Sequence, residues 1–416
     1  MSDYLAAAKS NIETMRKKPL TVVVMRDGQP VPHGDVTIQQ KKHEFLFGAN
    51  CFLAEQYETP AMNQQYDALF TEVFNYATLP YYWGAYEPER GVPRPEKVSR
   101  LLDWCDRFGL DRKGHPLHWH EVPPAWLTQA DGENMEALCK RRVGDVVRLF
   151  KDRVKRWDIV NEITRASKFT GVDSKFNIIS RYEVQRGAVH VVDMLARLAM
   201  EIDPEAQLLL NECNLASDDF PNLITALLAR GTPLAALGLQ CHMHGGTCSH
   251  EHLWHQTEKY AAFGLPLHYT EFSILSGRVE GEVDWYSNEK NHWITSPEAE
   301  QRQAQETEEL YTLLFGHPAV EAITWWDIVD GYWLNAPSGL LSHDMQAKPA
   351  YHALRKLVKG AWWTKASGTT DGSGTFTADA FYGRYTIRAT VDGAASEVEY
   401  THAKKQKEAS TVTLSL

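Results

Sequence analysis

Eight short runs of apolar residues recur along this chain, separated by longer stretches with helical spacing. They are "FLFGAN", "YATLPY", "RKGHPLHW", "RWDIVNE", "QLLLNEC", "ALGLQCHM", "PLHYTEFS" and "AITWWDI". Runs of this length are buried strands, and "PEKVSRLLDWCDRFG" and "EAEQRQAQETEELYTLLFG" between them have the period of helices. Eight strand–helix units over residues 45–358 predict a closed (β/α)8 barrel. An open doubly wound sheet is the competing architecture, but no G-x-G-x-x-G follows the first strand.

The flanks have a different texture. Residues 3–17 have a helical pattern, and "LTVVVMRDGQPVPHGDVTIQQ" shows two strands about a D-G turn. Residues 359–416 are rich in Gly, Thr and Ser, alternate strand with turn and carry no helical pattern. About fifty residues are few for an independent β-fold. Residues 1–44 and 359–416 are therefore expected to complete one all-β module, with the barrel inserted between them. The competing expectation is two unrelated β-extensions packed separately on the barrel. "DGQPVPHGDVTI" with "TDGSGTFTADAFYGRYTIRATVDG" resembles a carboxypeptidase-regulatory-like sandwich cut in two.

Composition narrows the function. The net charge of −11, with no long basic tract, argues against nucleic acid as a partner. No run of eighteen apolar residues exists to span a membrane. The charged N-terminal stretch is not a secretion signal, so the chain is expected in the cytoplasm or as the remainder after removal of a leader. The six cysteines lack C-x-x-C spacing and read as free thiols. Aromatics reach 11%, which suits a surface that stacks on sugar rings.

Barrel sites lie at the C-terminal ends of the strands. There the chain places His115, Trp119 and His120, then Asn161 and Glu162, Asn211 and Glu212, Gln240, His242 and His244, Glu271, and Trp325 and Trp326 followed by Asp327. Glu162 and Glu271 come from strands four and seven. Cleaving a glycosidic bond takes such a pair: an acid protonates the leaving oxygen while a carboxylate attacks the anomeric carbon. The alternate histidines His242/His244 and His118/His120, with His250, His252 and His255, raise a metal-dependent hydrolase as a rival. A non-catalytic carbohydrate-binding protein on the same fold is the other. The favoured reading needs neither metal nor cofactor.

"GHPLHWH", "WDIVNE", "GLQCHMH", "HYTEFS" and "ITWWDIVDGYWL…GLLSHDMQAKPAYHAL" together resemble glycoside hydrolase family 10, the endo-β-1,4-xylanase family. The resemblance implies a retaining hydrolase of xylan or a related β-linked plant or algal polysaccharide. It makes Glu162 the general acid/base and Glu271 the nucleophile. Asn161 would bind the 2-hydroxyl of the cleaved sugar, and His242 with Gln240 would orient Glu271. His115 and Trp119 would line the same subsite, Trp326 would form its platform, and Trp333 matches a second family tryptophan with a one-residue offset. The family's "ENxxKW" after strand two is replaced by "TLPYYW", which puts Thr78, Leu79 and Tyr82 where polar groups would grip the next xylose. Ser273 stands where the family has an Asp two residues beyond the nucleophile.

Overall fold

The computed structural model describes residues 2–171, 176–243, 246–284, 291–405 and 410–416. Eight parallel strands close into a barrel in chain order: Leu46–Asn50, Tyr76–Pro80, Asp111–His115, Arg156–Asn161, Gln207–Glu212, Ala236–Met243, Leu267–Ile274 and Val320–Trp325. Closure runs through the last and first strands, where Ile323 lies opposite Phe47. Every residue of Leu46–Asn50 and of Leu267–Ile274 is buried. That is the fate of strands covered inside by the barrel core and outside by helices.

The helical patterns become the outer layer. Pro297–Phe315 begins at Ser296, whose hydroxyl accepts from the Ala299 N–H; proline opens the first turn, and Glu298 and Glu300 sit in it. Together these satisfy a free amide and oppose the helix dipole. Close contact inside the barrel requires glycine at two positions that matter below. A Cβ on Gly114 would lie 2.2 Å from the Trp157 ring, and one on Gly238 would lie 2.5 Å from Asn211 Oδ1.

The flanking strands meet in two four-stranded sheets. In one, Lys17–Arg26 pairs antiparallel with Thr375–Phe381 and parallel with Ser410–Ser415. In the other, Asp35–His43 lies between Lys365–Thr369 and Gly383–Val391, with Ala394–His402 at the edge. Leu20, Val22, Val24, Val412 and Leu414 from the first sheet share a core with Val36, Ile38, Tyr385, Ile387 and Ala389 from the second. Gln29–Pro30 is the fourth strand of the first sheet, paired with Lys17–Arg26, so each sheet combines strands from before the barrel with strands from after it.

The helix Asp3–Met15 ends beside the barrel. The buried Arg16 guanidinium donates to the carbonyls of Phe315, His317 and Val320 at 2.6–2.8 Å. Carbonyls left unpaired at a helix C-terminus gain charged donors there.

Candidate active site

Asn161 ends strand four, and Glu162 follows with φ +54°, a left-handed conformation that turns the chain into a tight helical segment, Ile163–Phe169. The Glu162 N–H donates to the Asn211 carbonyl at 2.9 Å, which ties the turn to strand five. Its carboxylate is only 6% exposed. Oε1 accepts from Gln240 Nε2 at 2.8 Å and from Asn161 Nδ2 at 3.3 Å. Oε2 accepts from Arg165 Nη1 at 3.0 Å.

Glu271 lies on strand seven and is also buried. Asn211 Nδ2 donates to its Oε1 at 2.8 Å, and His242 Nε2 lies 3.1 Å from its Oε2. Burial pushes this carboxyl up. The His242 hydrogen bond, together with the influence of His115, His242 and Lys113, outweighs burial and holds it below the ordinary carboxylate range. Ser273 Oγ lies 2.9 Å from His242 Nδ1, in the position where the family carries Asp.

Two side-chain amides join the glutamates. The two hydrogens of Asn211 Nδ2 go to Glu271 Oε1 and, at 2.7 Å, to Asn161 Oδ1. Those of Gln240 Nε2 go to Glu162 Oε1 and, at 3.3 Å, to Asn161 Oδ1. Sheet register makes this possible: Asn161 faces Asn211 across strands four and five, and Gln240 faces Glu271 across strands six and seven. A primary amide has two donors, and both amides use both.

The walls of the site are aromatic. The His115 ring meets Trp326 at 5.3 Å and Tyr82 at 5.5 Å, both edge-on; Tyr82 lies 5.8 Å from Trp119. Phe52 closes the same wall against Tyr82 and Trp326. Trp333 stacks on His242 with centroids 4.7 Å apart and planes 8° apart. Behind His115, Asp158 Oδ2 lies 2.7 Å from its Nδ1 and 2.6 Å from Lys113 Nζ. Burial raises Asp158, yet Lys113 and His115 overcome this and keep it low, so Asp158 fixes the imidazole from beneath.

Tyr82, His115, Trp119, Asn161, Glu162, Gln240, His242, Glu271, Trp326 and Trp333 all line one cavity of about 910 Å³. Several sequence expectations need correction. Gln240 bonds Glu162 and not Glu271, whose oxygens meet Asn211 and His242. His120 is not at the mouth; it and His118 both turn to the buried Glu183, at 3.2 and 2.9 Å. Burial works against charge on His118, but Cys139 and Glu183 push it up to about 10. Thr78 and Leu79 are fully buried in strand two, and only Tyr82 of that trio reaches the cavity. His244 lies outside the described residues. Among the described residues no cluster of three or more His, Cys, Asp or Glu is placed to hold a metal. No helix there is long and apolar enough to cross a membrane.

Sequence reasoning assigned no role to Asn211, Ser273 or Arg165. Asn211 was visible as a strand-end amide in register with Asn161; Arg165 was visible as a cation three residues beyond Glu162, the spacing of helical neighbours.

Glycoside cleavage is the chemistry that asks for two carboxylates with different partners on one cavity wall, with aromatic faces for a sugar ring around them. The fold and site define a (β/α)8 glycoside hydrolase. Residues 39–357 match the model of glycosyl hydrolase family 10, and the chain belongs to that family. Anti-sigma-I factor RsgI6 of Acetivibrio thermocellus is 25% identical over 400 residues, which span 94% of this chain and 47% of the relative. The chain thus spans about half the length of that relative. Endo-1,4-beta-xylanase B of Thermotoga neapolitana is 26% identical over 291 residues, covering 67% of this chain and 78% of the relative. The solved structure of a GH10 endoxylanase from a sugarcane soil metagenome has a TM-score of 0.63 at 21% identity, over 76% of this chain and 97% of that one. At that identity the likeness shows the fold.

Proposed function

We propose that this chain hydrolyses β-1,4-xylosidic bonds in xylan or a related β-linked plant or algal polysaccharide by double displacement with retention. The observation that carries this reading is the amide network holding Glu162 and Glu271 to one another through Asn161, Asn211 and Gln240. Glu271, held low by His242 and nearby cations, is the nucleophile. Its attack on the anomeric carbon forms a glycosyl ester while Glu162 protonates the leaving oxygen; Glu162 then takes a proton from the water that hydrolyses the ester. Asn161 Nδ2 gives one hydrogen to Glu162, and its other is available to the 2-hydroxyl of the bound sugar. Trp326, Trp333, His115 and Trp119 form the faces on which that sugar lies. On the same reading residues 45–358 are the catalytic unit, and 1–44 with 359–416 form the β-module.

The substitution of "TLPYYW" for the family's polar grip implies weak reading of a second xylose. Tyr82 offers an aromatic face where polar side chains would discriminate. Product analysis on a panel of β-linked xylans, glucans and decorated oligosaccharides, with the anomer of the first product followed by NMR, tests the proposal. Retention and loss of turnover in Glu271→Gln are expected. An inverted first product, or a Glu271→Gln protein as active as the parent, would overturn it. Binding without turnover by the parent would favour the sugar-binding alternative.

A further inference from the structure

Among the described residues, the side chains hydrogen-bonded to the Glu162 carboxylate are donors. Gln240 and Asn161 supply N–H groups to Oε1, and Arg165 supplies one to Oε2. A protonated carboxyl carries an O–H that needs an acceptor, and none of these three contacts offers one. The arrangement suits the carboxylate, the form of Glu162 required in the second half of a double displacement. Arg165 is the cation of this arrangement. It stands at the wall of the cavity, half-buried, on the turn that Glu162 opens. The Phe169 ring lies 5.6 Å from its guanidinium carbon, and the Cys213 sulfur lies 3.5 Å from Nη1. Glu121 lines the same cavity, and its charge acts on the guanidinium along with that of Glu162.

We propose that Arg165 is a positioning residue for the hydrolysis of the glycosyl-enzyme, holding Glu162 as the carboxylate that receives the proton of the attacking water. This rests on the assignment of Glu162 as acid/base. In the step concerned, the water oxygen bonds to the anomeric carbon and the ester bond to Glu271 breaks. The bonding pair returns to the Glu271 carboxylate, and the water proton passes to Glu162. A guanidinium bonded to one oxygen fixes the plane of the carboxylate and stabilises its charge until the proton arrives.

2,4-Dinitrophenyl β-xyloside isolates this step, because its leaving group departs without a proton and ester hydrolysis then limits kcat. For Arg165→Gln, kcat on this substrate should fall about tenfold while kcat/KM, which reports ester formation, falls less than threefold. The burst of dinitrophenolate should remain stoichiometric, which also shows that the variant is folded. Azide attacks without releasing a proton and should restore kcat; Arg165→Lys should keep most of the parent rate. Equal losses in kcat and kcat/KM, or no recovery with azide, would overturn the role. Glu162→Ala on the same substrate tests the underlying assignment separately: absence of azide rescue there removes Glu162 as the acid/base whatever Arg165 does.

Discussion

Replacing Asn211 by Ala perturbs the site without touching either proposed catalytic carboxylate. In the parent, Asn211 Nδ2 donates to Glu271 Oε1 at 2.8 Å and to Asn161 Oδ1 at 2.7 Å, and its Oδ1 accepts from Thr270 Oγ1 at 2.5 Å. The variant loses the first bond outright. A hydrogen bond to a charged group contributes about 1.5–3 kcal/mol, and about 1.4 kcal/mol is a factor of ten in rate. If that interaction is fully realised in the transition state, kcat/KM on an aryl β-xyloside should drop roughly ten- to a hundredfold. The Thr270 hydroxyl, buried with its residue 1% exposed, loses its acceptor, so the fold should lose about 1–3 kcal/mol as well. Asn211→Asp separates the two effects. It keeps an acceptor for Thr270 but sets a carboxylate against Glu271, so activity should fall further while the stability loss shrinks. Steady-state kinetics and urea unfolding on both variants check this. A folded Asn211→Ala protein with kcat/KM within threefold of the parent would refute the claim that this amide supports the nucleophile.

Three further outcomes follow from other parts of the site. His242→Ala removes the largest influence that opposes burial at Glu271, so the acidic limb of the kcat/KM–pH profile should move to higher pH. Asp327 is buried and raised to about 6, chiefly by burial, with Asn50 donating to its Oδ1 at 2.7 Å. Its protonated form stabilises the fold below about pH 4, the ordinary Asp value, and that contribution is lost as pH rises through 6. Asp327→Asn cannot ionise and should gain stability relative to the parent between pH 4 and 7, by about 3 kcal/mol at most, read as a growing difference in Tm. Gly114→Ala drives a Cβ to 2.2 Å from the Trp157 ring one residue before His115, and should cost about 1–3 kcal/mol of stability in denaturant titration.

The barrel was legible because its eight strands are buried on both faces and read as short apolar runs with polar ends. Glu162 and Glu271 were legible as a pair: two carboxylates ending runs on separate strands, with Trp and His around them, are what glycosidic cleavage asks for. The partners of those carboxylates depend on strand register, which a linear pattern does not contain. Asn211 ends "QLLLNEC" much as Glu212 does, yet Asn211 faces Asn161 and reaches Glu271, whereas Glu212 accepts backbone N–H groups from Thr164, Cys213 and Asn214. Gln240 illustrates the converse. It lies in register with Glu271, yet its amide reaches Glu162 and Asn161. The flanking strands were legible as strands, while their distribution over two sheets, Lys17–Arg26 in one and Asp35–His43 in the other, is a long-range pairing.

Departures from the family pattern are best understood through what each replacement still does. Ser273 keeps a hydrogen-bonding partner beside His242 Nδ1, so the imidazole remains oriented toward Glu271. Glu271 is also lowered by His115 and Lys113; Asp158 on the next strand lies against His115 Nδ1 and pairs with Lys113, which shares the strand of His115. Orientation and charge, which one Asp could supply together, are here divided between Ser273 and the His115 cluster. Removing Ser273 should therefore disturb the geometry of His242 more than the ionisation of Glu271, whereas removing His115 should do the reverse.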